Sequence, residues 1–103
     1  MELQNEIRED ELRITIIGEL DDHSAEEARA YMDGILALNR TVRTLSLDLS
    51  GVSFMDSSGL GVILGRYRVM AARGGRLCVC GVSRHVDRIL RMSGIYALVE
   101  KGE

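Results

Sequence analysis

No stretch of these 103 residues approaches the ~18 consecutive apolar residues that a membrane-spanning helix needs. The opening, Met1 to Glu6, lacks the basic start and apolar centre of a secretory signal. These absences imply a cytoplasmic protein with no membrane partner. There is no proline, no low-complexity linker and no internal repeat, and the length allows one hydrophobic core rather than two. Cysteine is scarce as well, with Cys78 and Cys80 spaced so that both point to the same face of a strand. Neighbours two apart in a strand do not reach disulfide geometry easily, and a C-x-C pair in a chain with only two histidines is not a zinc signature. Core thiols and no metal site are expected. No phosphate-loop pattern supports nucleotide binding, which stays open, and no cofactor is expected.

What is present is the composition of an ordinary globular domain, 46% hydrophobic and 28% charged, which excludes disorder. The formal net charge of −3 argues against direct nucleic-acid binding. Its distribution is uneven. Met1 to Glu27 holds ten acids and two arginines, whereas Arg66 to Arg91 holds seven arginines and one acid, Asp87. Spread around helices, those arginines form solvated faces; gathered, they form a patch that meets an acidic partner.

Alternation of Leu3, Asn5 and Ile7, then of Leu12, Ile14 and Ile16 up to Gly18, reads as a β-hairpin or two adjacent strands. Ser24 and Glu27 have capping-box spacing before a helix that runs to about Asn39, with Ala28, Tyr31, Met32, Ile35 and Leu36 on its inner stripe. Leu45, Leu47 and Leu49 mark a third strand whose Ser46 and Asp48 face is less deeply covered. The next helix carries Leu60, Ile63, Leu64, Tyr67 and Ala71 at helical spacing and stops at Gly74-Gly75. Leu77 to Cys80 reads as a central strand buried on both faces. Ser83 caps a short helix with Val86, Ile89 and Leu90 inward, ended by Gly94, and Tyr96 to Val99 reads as a last strand. The order β-β-α-β-α-β-α-β implies an α/β fold, a mixed and mostly parallel sheet with helices packed against it.

The chemistry gathers at Asp56-Ser57-Ser58-Gly59, where a strand-like run from Leu45 to Phe54 gives way at once to the helix. Two hydroxyls and a carboxylate stand at a first helical turn, beside unpaired N–H groups and the positive end of the helix dipole. A serine there is either a plain cap or the acceptor of a phosphate, and the spacing leaves both readings open. Gly59 and Gly61 give room for another protein to approach. No catalytic serine is expected, because Gly-x-Ser-x-Gly is missing and His23 and His85 lie in other segments. A phosphate on Ser57 would add about −1.5 to −2 charges. Beside a helix start that is worth roughly 0.3–1 kcal/mol, small against a domain stability of ~5–15 kcal/mol. An unpaired charge buried in an interface costs ~2–5 kcal/mol, so such a phosphate acts on a docked partner rather than on the fold.

Ser53 to Tyr67 resembles the signature of bacterial anti-sigma factor antagonists of the STAS-domain family, specifically the sporulation type that opposes the anti-sigma F factor. Gly18 to Asp21 followed by His23 to Glu26 resembles the family's loop from second strand to helix, and Arg91 to Ile95 its late Met-Ser-Gly segment. The resemblance implies a STAS domain over 1–103, no enzyme activity, and a partner switch in which the unphosphorylated protein binds an anti-sigma factor serine kinase and frees the sigma factor. The kinase phosphorylates the antagonist and a serine phosphatase restores it. The family's phosphorylated serine follows the aspartate, which implies Ser57 rather than Ser58. Asp21, Asp22, His23, Met55, Asp56, Ser57, Ser58, Gly59 and Gly61 would form the partner surface. Asp22 departs from the histidine common in close relatives, which leaves open a general-stress or other partner-switching pathway. Relatives of this type usually continue into a C-terminal helix, implied here to be missing or shortened, and its loss would expose apolar surface.

Overall fold

The computed structural model describes residues 1–102 of the chain. Strands β1 (Glu2–Arg8) and β2 (Glu11–Leu20) form an antiparallel hairpin with Leu3 opposite Ile16 and Ile7 opposite Leu12. There follow α1 (Ala25–Leu38), β3 (Thr44–Met55), α2 (Ser57–Ala72), β4 (Arg76–Cys80), α3 (Arg84–Ser93) and the short β5 (Glu100–Lys101). The strands lie in one sheet in the order β1-β2-β3-β4-β5, and every pair after the hairpin is parallel. This is the mixed α/β sheet that the periodicity implied. Since helices join the parallel neighbours, β2, β3 and β4 all finish at the same edge of the sheet, and each is followed there by a loop and a helix. Among the described residues no helix is long and apolar enough to cross a membrane.

Alternation puts Leu12, Ile14 and Ile16 of β2, Leu45 and Leu47 of β3, and Leu77 and Val79 of β4 on one face, in register and buried. Ala28, Met32 and Leu36 of α1, Ile63 and Met70 of α2, and Val86 and Leu90 of α3 complete the same cluster. The three helices therefore cover one face of the sheet, and each large side chain buried there contributes roughly 1.5–3 kcal/mol. The opposite face is polar and half open. Arg13 Nη2 lies 3.3 Å from Cys80 Sγ, and Cys78 Sγ lies 3.5 Å from Ser46 Oγ, with both thiols free. Burial pushes the Cys80 thiol above its ordinary pKa.

Four expectations from the pattern need correction. Leu77 to Cys80 is an inner strand, paired with β3 and β5, but it is not buried on both faces, since Cys78 is half-buried on the open face. Tyr96 to Val99 is not a strand. Gly94 in a left-handed conformation (φ 78°) ends α3, Ile95–Ala97 forms a 3-10 turn, and β5 starts only at Glu100. Ile95 and Val99 are both buried, four residues apart, which is turn spacing rather than alternation. Ser24 is no cap: the backbone is already turning there (φ −110°, ψ −12°), and its hydroxyl donates to the Glu19 carbonyl at 2.7 Å. Finally, α2 is rotated from its expected stripe. Its buried face is Gly59, Val62, Ile63, Arg66 and Met70, while Leu60, Leu64 and Tyr67 are half-buried and Ala71 is exposed.

Candidate functional site at the carboxyl edge of the sheet

Beyond Asp48, which makes the last pairing with β4 opposite Cys80, β3 runs on along β2 to Met55, whose side chain is buried. The chain then turns at Asp56 (φ −122°, ψ −167°) into α2. Asp56 Oδ1 accepts the Ser58 N–H at 2.8 Å and the Gly59 N–H at 3.3 Å, and the Asp56 carbonyl accepts the Leu60 N–H at 3.2 Å. The cap of α2 is thus Asp56. Ser57 is exposed, and among the described residues its hydroxyl makes no hydrogen bond; Ser58 is half-buried. The two readings that the spacing left open fall on two adjacent residues. Capping belongs to the carboxylate, and the exposed hydroxyl is left unengaged.

The loop after β2 lies against this helix start. The Leu20 carbonyl accepts the Asp56 N–H at 3.4 Å. Asp21 Oδ1 accepts the N–H groups of His23 at 2.9 Å and Ser24 at 3.1 Å, which shapes the loop. Burial pushes the Asp21 carboxyl up, but these N–H groups, the Ser24 hydroxyl and His23 outweigh it and hold the group below the usual carboxylate range. Asp22 and His23 are exposed, with His23 Nδ1 3.0 Å from Asp22 Oδ1. Asp21, Asp22 and His23 bring possible metal ligands within 4.8 Å of one another, an exposed acidic cluster of a kind common without an ion, with Asp21 Oδ1 bonded to the loop backbone and Asp22 Oδ1 beside His23 Nδ1. Met55 and Gly59 are buried, so they shape this surface from below and present no side chain to it. Gly61 is exposed, with nothing within 4 Å of an added Cβ.

Around Ser57 and Gly61, both expected at the site, the structure adds residues that the sequence reading did not place there. Because α2 is rotated, Leu60, Gly61 and Leu64 form one wall of an open groove of about 310 Å³ that starts at Ser57. Gly94, Ile95 and Leu98 form the other. On the β4 side, the Phe54 ring stacks on His85 at 6.0 Å and 24°, tying the amino end of α3 to the strand that ends at Met55. Both pairings join residues at least 30 positions apart in the chain. An aromatic at the end of a strand is the one local signal that could have flagged Phe54.

Chemically, the edge offers an exposed hydroxyl to which no side chain among the described residues hydrogen-bonds. Of the two histidines, His23 is paired with Asp22 and His85 is stacked on Phe54. A phosphate placed on it would stand beside the Asp56 carboxylate, which already occupies the Ser58 and Gly59 N–H groups. Those two N–H groups are therefore not free to receive it.

A family model described as STAS domain matches residues 2–101. The anti-sigma F factor antagonist of Paenibacillus polymyxa is 42% identical over 88 residues, covering 85% of this chain and 74% of the relative. The solved structure of the anti-sigma factor antagonist SpoIIAA in its unphosphorylated form superposes with a TM-score of 0.84 at 31% identity, over 99% of this chain and 89% of that one. The Bacillus cell fate determinant SpoIIAA in the phosphorylated form gives 0.75 at 30% identity, over 99% and 92%.

Proposed function

This chain belongs to the STAS-domain family of anti-sigma factor antagonists, and on that premise we propose that its unphosphorylated form binds an anti-sigma factor serine kinase and so releases a sigma factor. The kinase then transfers a phosphoryl group to Ser57, the complex parts, and a serine phosphatase resets the cycle. The protein acts by binding, with no turnover of its own.

One observation carries the assignment to Ser57: its hydroxyl is exposed and unengaged while Asp56 supplies the helix cap. Modification there leaves the cap intact and changes what a partner meets. Asp21, Asp22, His23, Asp56, Ser57, Ser58 and Gly61 form the contact surface, with Met55 and Gly59 supporting it from below. A docked kinase shields Ser57 from water, and a phosphate then leaves an unpaired charge inside the interface. The test is incubation with ATP and the anti-sigma factor kinase of the same organism, followed by mapping of the phosphate by mass spectrometry. A single phosphate on Ser57, absent from Ser57→Ala, is expected. Phosphate on Ser58, or none at all, overturns the assignment.

A further inference from the structure

Of the seven arginines from Arg66 to Arg91, Arg66 is buried, Arg73 bonds to the end of α1, Arg76 pairs with Glu100, and Arg84, Arg88 and Arg91 share the exposed helix α3. Arg84 and Arg88, one turn apart on α3, are both exposed, and among the described residues neither makes an ion pair or a side-chain hydrogen bond. Arg84 is the first residue of the helix and His85 the second, so the guanidinium stands at the positive end of the helix dipole, where a cation is disfavoured. The helix's own acid does not answer it. Asp87 accepts from Tyr96 Oη at 2.7 Å, Lys101 Nζ at 2.9 Å and Arg91 Nε at 2.8 Å.

This face is continuous with the Ser57 edge. His85 stacks on Phe54, three residues before Ser57, and the groove beside Ser57 ends on Ser93 and Gly94 at the far end of the same helix. On the other side of Ser57 lie Asp21, Asp22 and Asp56, so the edge is acidic toward β2 and basic toward β4. Across an interface, opposed potentials speed encounter and fix orientation, and a surface with two signs admits its partner in one orientation only.

We infer that Arg84 and Arg88 form a second contact for the same anti-sigma factor kinase, receiving an acidic segment of it while Ser57 meets its active site. The inference rests on the partner-switching reading above. It adds which side of Ser57 the kinase extends over, and the charge of the kinase surface that lies there.

The test is stopped-flow association of the unphosphorylated protein with the kinase of its own organism, at about 50 mM and about 500 mM salt, where the screening lengths differ by roughly threefold. Arg84→Glu/Arg88→Glu is expected to slow association on the order of tenfold at low salt, with most of the difference gone at high salt. Arg84→Ala/Arg88→Ala should give a smaller loss of the same kind, with unchanged melting curves for both. Unaltered association rate and salt dependence in both variants overturn the inference. It is also overturned if the arginines prove necessary for binding phosphatidylglycerol vesicles or duplex DNA while kinase association is untouched. Ser57→Asp in the same assay separates the two readings. If it loses binding and the arginine variants do not, only the α3 contact falls; if the kinase fails to bind even the wild type, both fall.

Discussion

Gly59 sits directly against the carbonyl oxygen of Leu20: a Cβ on Gly59 would lie 2.6 Å from that oxygen and 2.7 Å from Met55 Cγ. The first turn of α2 can rest on the end of β2 only because this side chain is absent. That contact brings the Asp21–His23 loop beside Ser57, and so builds the edge on which the proposed partner docks.

Two glycines of one motif should therefore behave in opposite ways. Gly59→Ala is expected to cost about 1–3 kcal/mol through overpacking. Gly61→Ala meets open space and should stabilise the helix by roughly 0.5–1 kcal/mol, yet weaken kinase binding by crowding the groove. Urea unfolding beside titration calorimetry checks both. If Gly61→Ala leaves binding unchanged, the groove wall is not part of the interface.

Ser57→Asp should unfold like the wild type, within about 0.5 kcal/mol as expected for an exposed substitution, but bind the kinase at least about tenfold more weakly. A charge left unpaired in an interface costs ~2–5 kcal/mol, and ~1.4 kcal/mol corresponds to a factor of ten. Equal affinity for both proteins would remove charge exclusion as the switch mechanism.

Arg66 is buried between α1 and α2, with its Nε 2.9 Å from Asp33 Oδ1. Burial pulls the Arg66 pKa down while Asp33 pushes it back up. Asp33→Ala leaves that guanidinium without its counter-charge and should cost roughly 3 kcal/mol, whereas Arg66→Met together with Asp33→Ala should recover most of the loss. A double-mutant cycle by denaturant unfolding measures the coupling, and simple additivity would refute it.

Asp87 ties α3 to the carboxyl end of the chain. Hydrogen bonds from Lys101, Tyr96 and Arg91 hold its carboxyl well below the usual range, and burial together with Asp87 pushes the Tyr96 hydroxyl well above its own. A depressed acid stabilises above its unfolded pKa of ~3.9 and loses that contribution as the pH falls through the folded value. The raised tyrosine contributes below about pH 10 and loses its contribution as the pH rises beyond that. Wild type should therefore exceed Asp87→Asn in stability between about pH 5 and 9, with the gap narrowing in acid and again in strong alkali. A gap that stays constant from about pH 3 to 11 would mean that these hydrogen bonds do not couple to folding.

The strands and helices were legible because their signals are local. Leu12, Ile14 and Ile16 alternate on one strand, and Ala28, Met32 and Leu36 repeat on one helix face whatever the rest of the chain does. The abrupt passage from Phe54 to Ser57 marked the site for the same reason. Local patterns failed where two segments compete for one role. Ser24 has the spacing of a cap, yet its hydroxyl goes to Glu19, while Asp21 takes the N–H groups of the turn. Leu60 and Leu64 have core spacing, yet the buried face of α2 passes through Val62, Ile63, Arg66 and Met70.

From the sequence by itself came the α/β order, the helix start at Ser57 and the uneven charge, since each is written in residues a few positions apart. Only the tertiary structure decided that Asp56 rather than Ser57 caps the helix, that Leu20 and Gly59 meet, and that the Arg84 end of α3 reaches Phe54. Those facts depend on how parallel strands place their carboxyl ends side by side. That placement follows from burying one shared core, and no single segment encodes it.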